Sequence, residues 1–298
     1  MIKYILFSLF LLLLFVKTSV SGQDITDCQR DYAGGLVPVK AGNKYGYMDC
    51  NGNMVIQPVF EEAHDFCGGL ASVRIGSKWG YIDNKGTIII EPQFDEAGDL
   101  YKGMAPVWIG DKCGYVSSAG TIIVKPQYDS ISDFYEDIAA VRKGNKYGYI
   151  DRRGIIIIEP VLDYAYSFSE GLAAVKVNDK WGYVDNRGKI IVEPVFDEGR
   201  AFFQSMAIIR MGKKYGYINR SGIIVINPVF DDACSFSEGL AAVKTGDLWG
   251  YIDIKGTVVI KPSFDRVDYF HDGRALIVKD NKSGYIDRNG NIIWNPEK

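Results

Sequence analysis

Apolar and polar positions along this chain follow a pattern that returns every 34 residues. In the stretch that begins at Gly69, Leu70–Ile75 alternates as a half-buried strand does. Gly76-Ser77 interrupts the alternation, and Lys78–Asp83 resumes it. Asp83-Asn84-Lys85-Gly86 breaks it again, and the β-branched run Thr87–Glu91 follows. Three short strands are therefore expected. Gly76-Ser77 is a two-residue loop whose leading glycine suits a type II′ turn. Asp83–Gly86 suits a type I turn, with Asp opening it and Gly taking the left-handed position at its end. Pro92 is expected to stop the third strand, because proline cannot donate to a ladder. Gln93–Lys102 links to the next unit and has room for a short fourth strand around Phe94–Ala97.

The same marks recur without insertion or deletion. Gly-Tyr stands at 46–47, 80–81, 114–115, 148–149, 182–183, 216–217, 250–251 and 284–285, and a proline stands at 58, 92, 126, 160, 194, 228, 262 and 296. Eight copies in strict register identify a repeat architecture. A helical hairpin of similar period is excluded. Glycine and proline at fixed places in every unit would cost about 1 and 3 kcal/mol each inside a helix. The units run 35–68, 69–102, 103–136, 137–170, 171–204, 205–238, 239–272 and 273–298, with 24–34 in the phase of a degenerate first link. The corresponding two-residue loops are Gly42-Asn43, Gly110-Asp111, Gly144-Asn145, Asn178-Asp179, Gly212-Lys213, Gly246-Asp247 and Asp280-Asn281. All but Gly212-Lys213 carry favoured turn residues in both positions.

A two-residue loop fixes register and sets residue 74 opposite 79 in a non-hydrogen-bonded pair. Across the units those pairs are Lys40–Tyr45, Arg74–Trp79, Trp108–Cys113, Arg142–Tyr147, Lys176–Trp181, Arg210–Tyr215, Lys244–Trp249 and Val278–Ser283. Six set a cation against a ring, and the two that lose the ring lose the cation too. That covariation within one chain marks a cross-strand contact. The pleat puts Ala71, Val73, Gly80, Ile82, Ile88 and Ile90 on one face, and Leu70, Trp79, Tyr81 and Ile89 on the other. Both faces are apolar, so neighbouring units must cover them by stacking. Gly80 is expected to let something approach the strand closely.

The string Lys78-Trp79-Gly80-Tyr81-Ile82-Asp83-Asn84-Lys85-Gly86 resembles the WG-repeat family of bacterial β-repeat proteins, also called KWG repeats. Lys180–Gly188 resembles it too, as does Leu248–Gly256 with leucine in place of the lysine. The likeness extends to the Pro-x-Phe-Asp link and to Phe-Ser-Glu-Gly-Leu-Ala-Ala-Val at 168–175 and 236–243. The third unit departs, with Cys113 and Ser117, and the eighth places Ser283 at the Trp position. The resemblance implies tandem β-units in envelope or secreted proteins, and it transfers no catalytic residue. The fold expected is all-β: eight antiparallel hairpin or three-stranded units stacked as an open β-superhelix. The alternative is a closed eight-bladed β-propeller, whose ring residues 24–34 would help to close. Thirty-four residues are few for a four-stranded blade.

Composition changes the picture at the N-terminus. Lys3, the 13-residue apolar run Tyr4–Val16 and the small residues up to Gly22 read as a signal peptide over 1–22, too short an apolar run to span a membrane. The remainder, 23–298, is then an exported repeat domain, secreted or held in the envelope, with no stable membrane span. A net charge of −3 gives no footprint for nucleic acid.

Chemistry is sparse. Asp83, Asp151, Asp185, Asp253 and Asp287 open turns. His64 and His271 each stand alone in a link, and no metal set, cofactor fingerprint or nucleophile elbow appears. Five cysteines allow one N-terminal disulfide, from Cys28 to Cys67 or to Cys50, with Cys113 filling a core ring site as a free thiol. The function expected is a non-catalytic binding or scaffolding module for a protein or envelope glycan. Trp79, Trp181, Trp249, Tyr147 and Tyr215 are the candidate ligand-stacking rings, set against a plain core role. The alternative is a hydrolase or lyase sited in a propeller channel. Its nearest candidate stretches are Glu198–Gln204 and Tyr269–Asp272.

Overall fold

The computed structural model describes residues 35–294. The signal-peptide segment, the 24–34 link, Cys28 and Pro296 lie outside the described residues. The described chain falls into two compact units. One runs to Pro92 and includes Asp99–Gly103; the other takes Gln93–Gly98 and everything from Met104.

Eight antiparallel sheets follow one another along the chain, and no helix occurs among the described residues. The first sheet has three strands, Val37–Ala41, Lys44–Met48 and Met54–Phe60, and the other seven have four. In the fifth, the order is Tyr164–Ala165, Leu172–Val177, Lys180–Asp185 and Ile190–Phe196. In the sixth, it is Glu198–Phe203, Met206–Met211, Lys214–Asn219 and Ile224–Phe230. The short leading strand is the one expected in the link, but it pairs with the hairpin that follows it. Tyr164 and Ala165 face Lys176 and Val175. The structural unit is therefore a four-stranded sheet that begins within the preceding sequence unit.

The central hairpin has the expected register, with Arg74 opposite Trp79, Lys176 opposite Trp181 and Arg210 opposite Tyr215. The loops divide by residue. Gly76 and Gly212 take positive φ as the first loop residue, the type II′ pattern. In Asn178-Asp179 and Asp280-Asn281 both residues have positive φ, the type I′ pattern that Asn and Asp tolerate.

The second turn is held by its opening side chain. Asp83 Oδ1 accepts from the amides of Lys85 and Thr87 at 2.9 and 2.8 Å, and Gly86 donates to the Asp83 carbonyl at 3.0 Å. Asn219 accepts the same pair of amides in the sixth sheet, and Ser117 Oγ accepts from Thr121 in the third. Any short acceptor serves, so these aspartates cap backbone.

The third strand corrects the sequence expectation: it runs through its proline. Between Trp181 and Tyr183 the second strand advances two residues, while its partner runs from Val192 to Phe196. Pro194 rides in that bulge on the outer strand of the sheet, where a missing amide leaves no ladder bond unmade. The bulge passes so close to the second strand that a Cβ on Gly182 would lie 2.4 Å from the Val192 carbonyl oxygen and 2.7 Å from Pro194 N. The glycine of Gly-Tyr and the proline 12 residues on are thus two halves of one contact. A second correction follows. Ile88 and Ile89 are both exposed and Ile90 is the buried member of its run; at the equivalent place in the fifth sheet the register shifts a second time, Tyr183 facing Val192 and Val184 facing Ile190.

Within each unit successive sheets share apolar clusters. In the first unit Tyr47, Ile56, Phe60 and Phe66 meet Ala71, Val73 and Ile82. In the second, Tyr183, Val192, Phe196 and Phe202 meet Ala207, Ile209 and Ile218. The tyrosine of Gly-Tyr is buried in these clusters, and its hydroxyl donates to a link carbonyl: Tyr183 to Arg200 at 2.9 Å, Tyr217 to Cys234 at 2.8 Å. Two polar ladders run alongside. Asp197 accepts from Lys180 Nζ at 2.5 Å and from the Gly212 amide at 2.6 Å, tying one hairpin to the next loop. Glu170 accepts from the Ser205 amide at 2.8 Å, and Glu238 from Gly273 at 3.0 Å.

Candidate functional site

With turns, bulges and ladders accounted for, side-chain variety concentrates at one place in each sheet. The leading link strand, the first hairpin strand and the second hairpin strand set three residues in a lateral row. The rows are Glu62–Arg74–Trp79, Glu96–Trp108–Cys113, Ser130–Arg142–Tyr147 and Tyr164–Lys176–Trp181. They continue as Glu198–Arg210–Tyr215, Asp232–Lys244–Trp249 and Arg266–Val278–Ser283. The residue two places on in the link joins each row: His64, Gly98, Ser132, Tyr166, Arg200, Cys234 and Asp268 in turn.

The pairing of cation with ring has the predicted register, and the ring is one of several partners. Lys40 Nζ lies 5.4 Å from the Tyr45 centroid. Elsewhere the charge is drawn to the loop and the link. Arg74 donates to the Gly76 carbonyl and pairs with Glu62; Arg142 donates to the Gly144 carbonyl; Lys176 pairs with Asp179 at 2.8 Å. The two-residue loop leaves an inward carbonyl within reach of the cation two positions before it, and this competes with the ring face.

In the fifth sheet the locus is aromatic. The Tyr166 and Trp181 rings stack with centroids 5.1 Å apart and planes 20° from parallel. Tyr164 lies 5.2 Å from Tyr166, 5.8 Å from Trp181 and 5.0 Å from Tyr147 of the preceding sheet. Tyr166 is 41 % exposed, and Tyr147, Tyr164 and Trp181 are half-buried. In the sixth sheet the same places hold an ionic network. Glu198 accepts from Arg200 Nε at 2.8 Å, from Arg210 Nε at 3.2 Å and from the Tyr215 hydroxyl at 3.0 Å. Arg200 also donates to the Ala233 carbonyl at 3.1 Å and lies 5.3 Å from the Tyr215 centroid. Burial pushes the Glu198 carboxyl up, but the Arg200 and Arg210 guanidiniums and the Tyr215 hydroxyl outweigh it and hold it below the usual range.

In the first unit the locus opens a polar cleft of about 440 Å³ lined by Lys40, Tyr45, Glu61, Glu62, His64 and Arg74. His64 does not stand alone, contrary to the sequence expectation. Its ring stacks on Trp79 at 4.7 Å, and its Nδ1 lies 2.9 Å from Ser72 Oγ and 3.8 Å from Asp99 Oδ1. A hydrolytic relay needs the carboxylate on one ring nitrogen and the nucleophile on the other. Here both approach the same nitrogen, and Ser72 is buried. The trio packs and does not relay.

Of the five rings singled out from the sequence, Trp79 is buried under His64, while Tyr147, Trp181, Tyr215 and Trp249 are half-buried. The structure brings Tyr147 and Trp181 into one cluster through Tyr164, and holds Tyr215 in the ionic network. Sequence reasoning missed Tyr164 and Tyr166. Their signal was present: two link positions that carry no more than one ring, His64, in any other unit are both aromatic here. The candidate stretch 198–204 forms the extended link strand and the satisfied ionic network. In 269–272, Phe270 is core and His271 is exposed beside Asp272, 3.5 Å away. Cys67 is engaged in a disulfide, while Cys50, Cys113 and Cys234 carry free thiols. Cys113 is buried at its ring position as expected, and burial pushes its thiol up to about 11.

The fold and this locus define a tandem all-β repeat protein in which a common backbone frame carries one variable side-chain cluster per sheet. The chain belongs to the WG-repeat family. The family model, described as the WG containing repeat, matches residues 45–79, 79–113, 114–147, 147–181, 181–215, 215–249 and 249–282. The seven matches follow one another with their bounds at or beside the position of Trp79 and its equivalents. No curated protein matches the chain. Among solved structures, the chain is similar to a eukaryotic initiation factor at 12 % identity, covering 87 % of this chain and 83 % of that one with a TM-score of 0.44. It is similar to Hsv2p of Kluyveromyces lactis at 10 % identity, 74 % and 89 % coverage and a TM-score of 0.38. A third likeness is to PorZ, a surface component of the type-IX secretion system of Porphyromonas gingivalis. It has 10 % identity, 87 % and 44 % coverage and a TM-score of 0.31, so the chain spans less than half of that protein. No functional reading follows from these likenesses.

Proposed function

We propose that the chain is a non-catalytic binding or scaffolding module that works outside the cytoplasm, secreted or held in the envelope. One observation carries this reading. The recurrent polar side chains are occupied with backbone caps and inter-sheet ladders, and what varies from sheet to sheet is the surface locus, which is where a partner would be told apart. The Cys67 disulfide supports an oxidising compartment, as does the composition of residues 1–22. Cys28 is the partner we assign to Cys67. Thiol titration of the denatured, unreduced mature chain then finds three free thiols; five would remove the disulfide.

The binding reading is tested by placing a photo-crosslinking phenylalanine at position 166, in the aromatic locus, and at position 269, exposed and distant in sequence. Irradiation with envelope material should give a saturable product from position 166 and none from 269. Equal products from both, or none from 166, would remove the locus as a partner surface. Turnover of ester, peptide or glycoside substrates by the mature chain would overturn the non-catalytic assignment.

A further inference from the structure

We propose that the ring cluster of the fifth sheet, Tyr164, Tyr166 and Trp181 with Tyr147 at its border, is a subsite for a neutral β-linked pyranose glycan. The inference rests on the binding-module reading above and supplies its ligand class.

The first argument is that the cluster is local. The frame usually carries one ring, at the position of Trp181, which Cys113 and Ser283 replace in two sheets with the pairing kept, and one tyrosine at the position of the buried Tyr183. Tyr164 and Tyr166 are extra. Each occupies a position that other sheets fill differently, with Glu, Ser, Asp or Arg at the place of Tyr164 and His, Gly, Ser, Arg, Cys or Asp at the place of Tyr166, without loss of the same strand pairing. His64 repeats one of them by stacking on Trp79, but among the described sheets only the fifth has rings at both places, and the strand pairing does not require them.

The second argument is geometric. A ring added for packing buries its faces. Tyr166 lies flat on Trp181, 20° from parallel, and keeps 41 % of its surface in solvent. Tyr164 and Trp181 flank the stem of Lys176, whose ammonium is turned away to Asp179 at the loop tip. The result is a partly exposed Tyr166–Trp181 stack with Tyr164 set across it, 68° from Tyr166 and 60° from Trp181. Aromatic faces carry partial negative charge, and the axial C–H groups of a gluco-configured pyranose present a flat, weakly positive face to them. The sugar's equatorial hydroxyls would then reach the phenols at the rim.

The third argument concerns charge. The ions beside the cluster are paired with one another: Lys176 with Asp179, Glu198 with Arg200 and Arg210. The cations named here are already matched by acids, which favours a neutral ligand over a sulfated or uronic chain. A protein anchor is a side chain sunk in a desolvated pocket, and half-exposed rings do not make one.

The test is calorimetric titration of the mature full chain with cellohexaose and with the hexamer of N-acetylglucosamine. At least one should bind, and Tyr166→Ala should weaken that binding at least tenfold while the melting temperature stays within about 2 °C of wild type. Tyr269→Ala, exposed and distant in sequence, should bind as wild type does. Failure of both sugars, or equal affinity in Tyr166→Ala, overturns the glycan subsite. If the sugars fail and the position-166 crosslink persists, the binding-module reading stands with a different ligand. If a sugar binds and reducing ends accumulate, the subsite stands and the non-catalytic reading falls.

Discussion

The sheet of residues 164–196 and the sheet of residues 198–230 hold one backbone in common. Both have the Gly–Pro bulge, the buried tyrosine donating to the link and the Lys–Asp ladder. Where the fifth puts Tyr164, Tyr166, Lys176 and Trp181, the sixth puts Glu198, Arg200, Arg210 and Tyr215. A ring cluster half open to water and a closed ionic network thus occupy equivalent sites. The frame sets where side chains meet and leaves open what they are. A variable locus on an invariant frame lets one repeat present different chemistry from sheet to sheet, and it separates changes that unfold the sheet from changes that alter its surface.

The largest effect should come from the frame. A methyl group on Gly182 would lie 2.4 Å from a backbone oxygen, with Pro194 N and Glu193 C within 2.9 Å, so the third strand must move as a whole. Gly182→Ala should cost about 3 kcal/mol or more, and Gly216→Ala, facing the Ile226 oxygen at 2.5 Å, about as much. Denaturant unfolding of both variants checks this. A large cost in one sheet and none in the other would end the claim of a common frame.

Next is Trp181→Ala. The ring packs on the cluster of Tyr183, Val192 and Phe196 as well as on Tyr164 and Tyr166. Losing a half-buried indole should cost about 2 kcal/mol, less than the 3–5 of a fully buried one. Unchanged melting would mean that the ring serves the surface alone.

Glu198→Gln sharpens the contrast through pH. The carboxyl is held below its ordinary 4.5 in the folded chain. Its contribution is therefore present above pH 4.5 and is lost as pH falls through the lowered folded value. At pH 7 the variant should be less stable by about 1 kcal/mol, discounted because the group is half-exposed. The gap to wild type should close below pH 4.5. Tyr164→Phe, at the equivalent place in the fifth sheet, should show no such closing. Parallel melts from pH 7 down to pH 3 decide it.

Much of this frame was legible beforehand, because its marks are local. A two-residue loop declares itself in Gly-Asn or Asn-Asp, and its register places Arg74 opposite Trp79 with no tertiary knowledge. The bulge was not legible. Gly182 and Pro194 stand 12 residues apart and each has a simpler reading alone, a close approach and a strand end. Only strand pairing shows that they are the same contact. The locus was half legible. Its hairpin members emerged from register, whereas Tyr164 and Tyr166 are brought to it by a two-residue strand too short to announce itself by alternation. His64 was misjudged for the same reason, since its partners Ser72 and Trp79 come from the hairpin across that short pairing.

The smallest effect on stability, and the sharpest test of the comparison, belongs to a transplant. Tyr164→Glu, Tyr166→Arg, Lys176→Arg and Trp181→Tyr together write the sixth locus into the fifth sheet with no change in net charge. The new acid would face the new arginine at 176 and reach the tyrosine at 181, as Glu198 does with Arg210 and Tyr215. Each single change would leave a charge or a ring without its partner, so the four should couple strongly and the sum of their separate costs should exceed the cost of the set. The loops set the tolerance. Arg210 donates to the carbonyl of Gly212 in a type II′ loop, whereas position 176 precedes the type I′ pair Asn178-Asp179. Stability at pH 7 should stay within about 1 kcal/mol of wild type, with acid sensitivity acquired and oligosaccharide binding lost. A loss beyond about 2 kcal/mol would show that loop type and locus are specified together, and the fifth sheet would then be a different frame from the sixth.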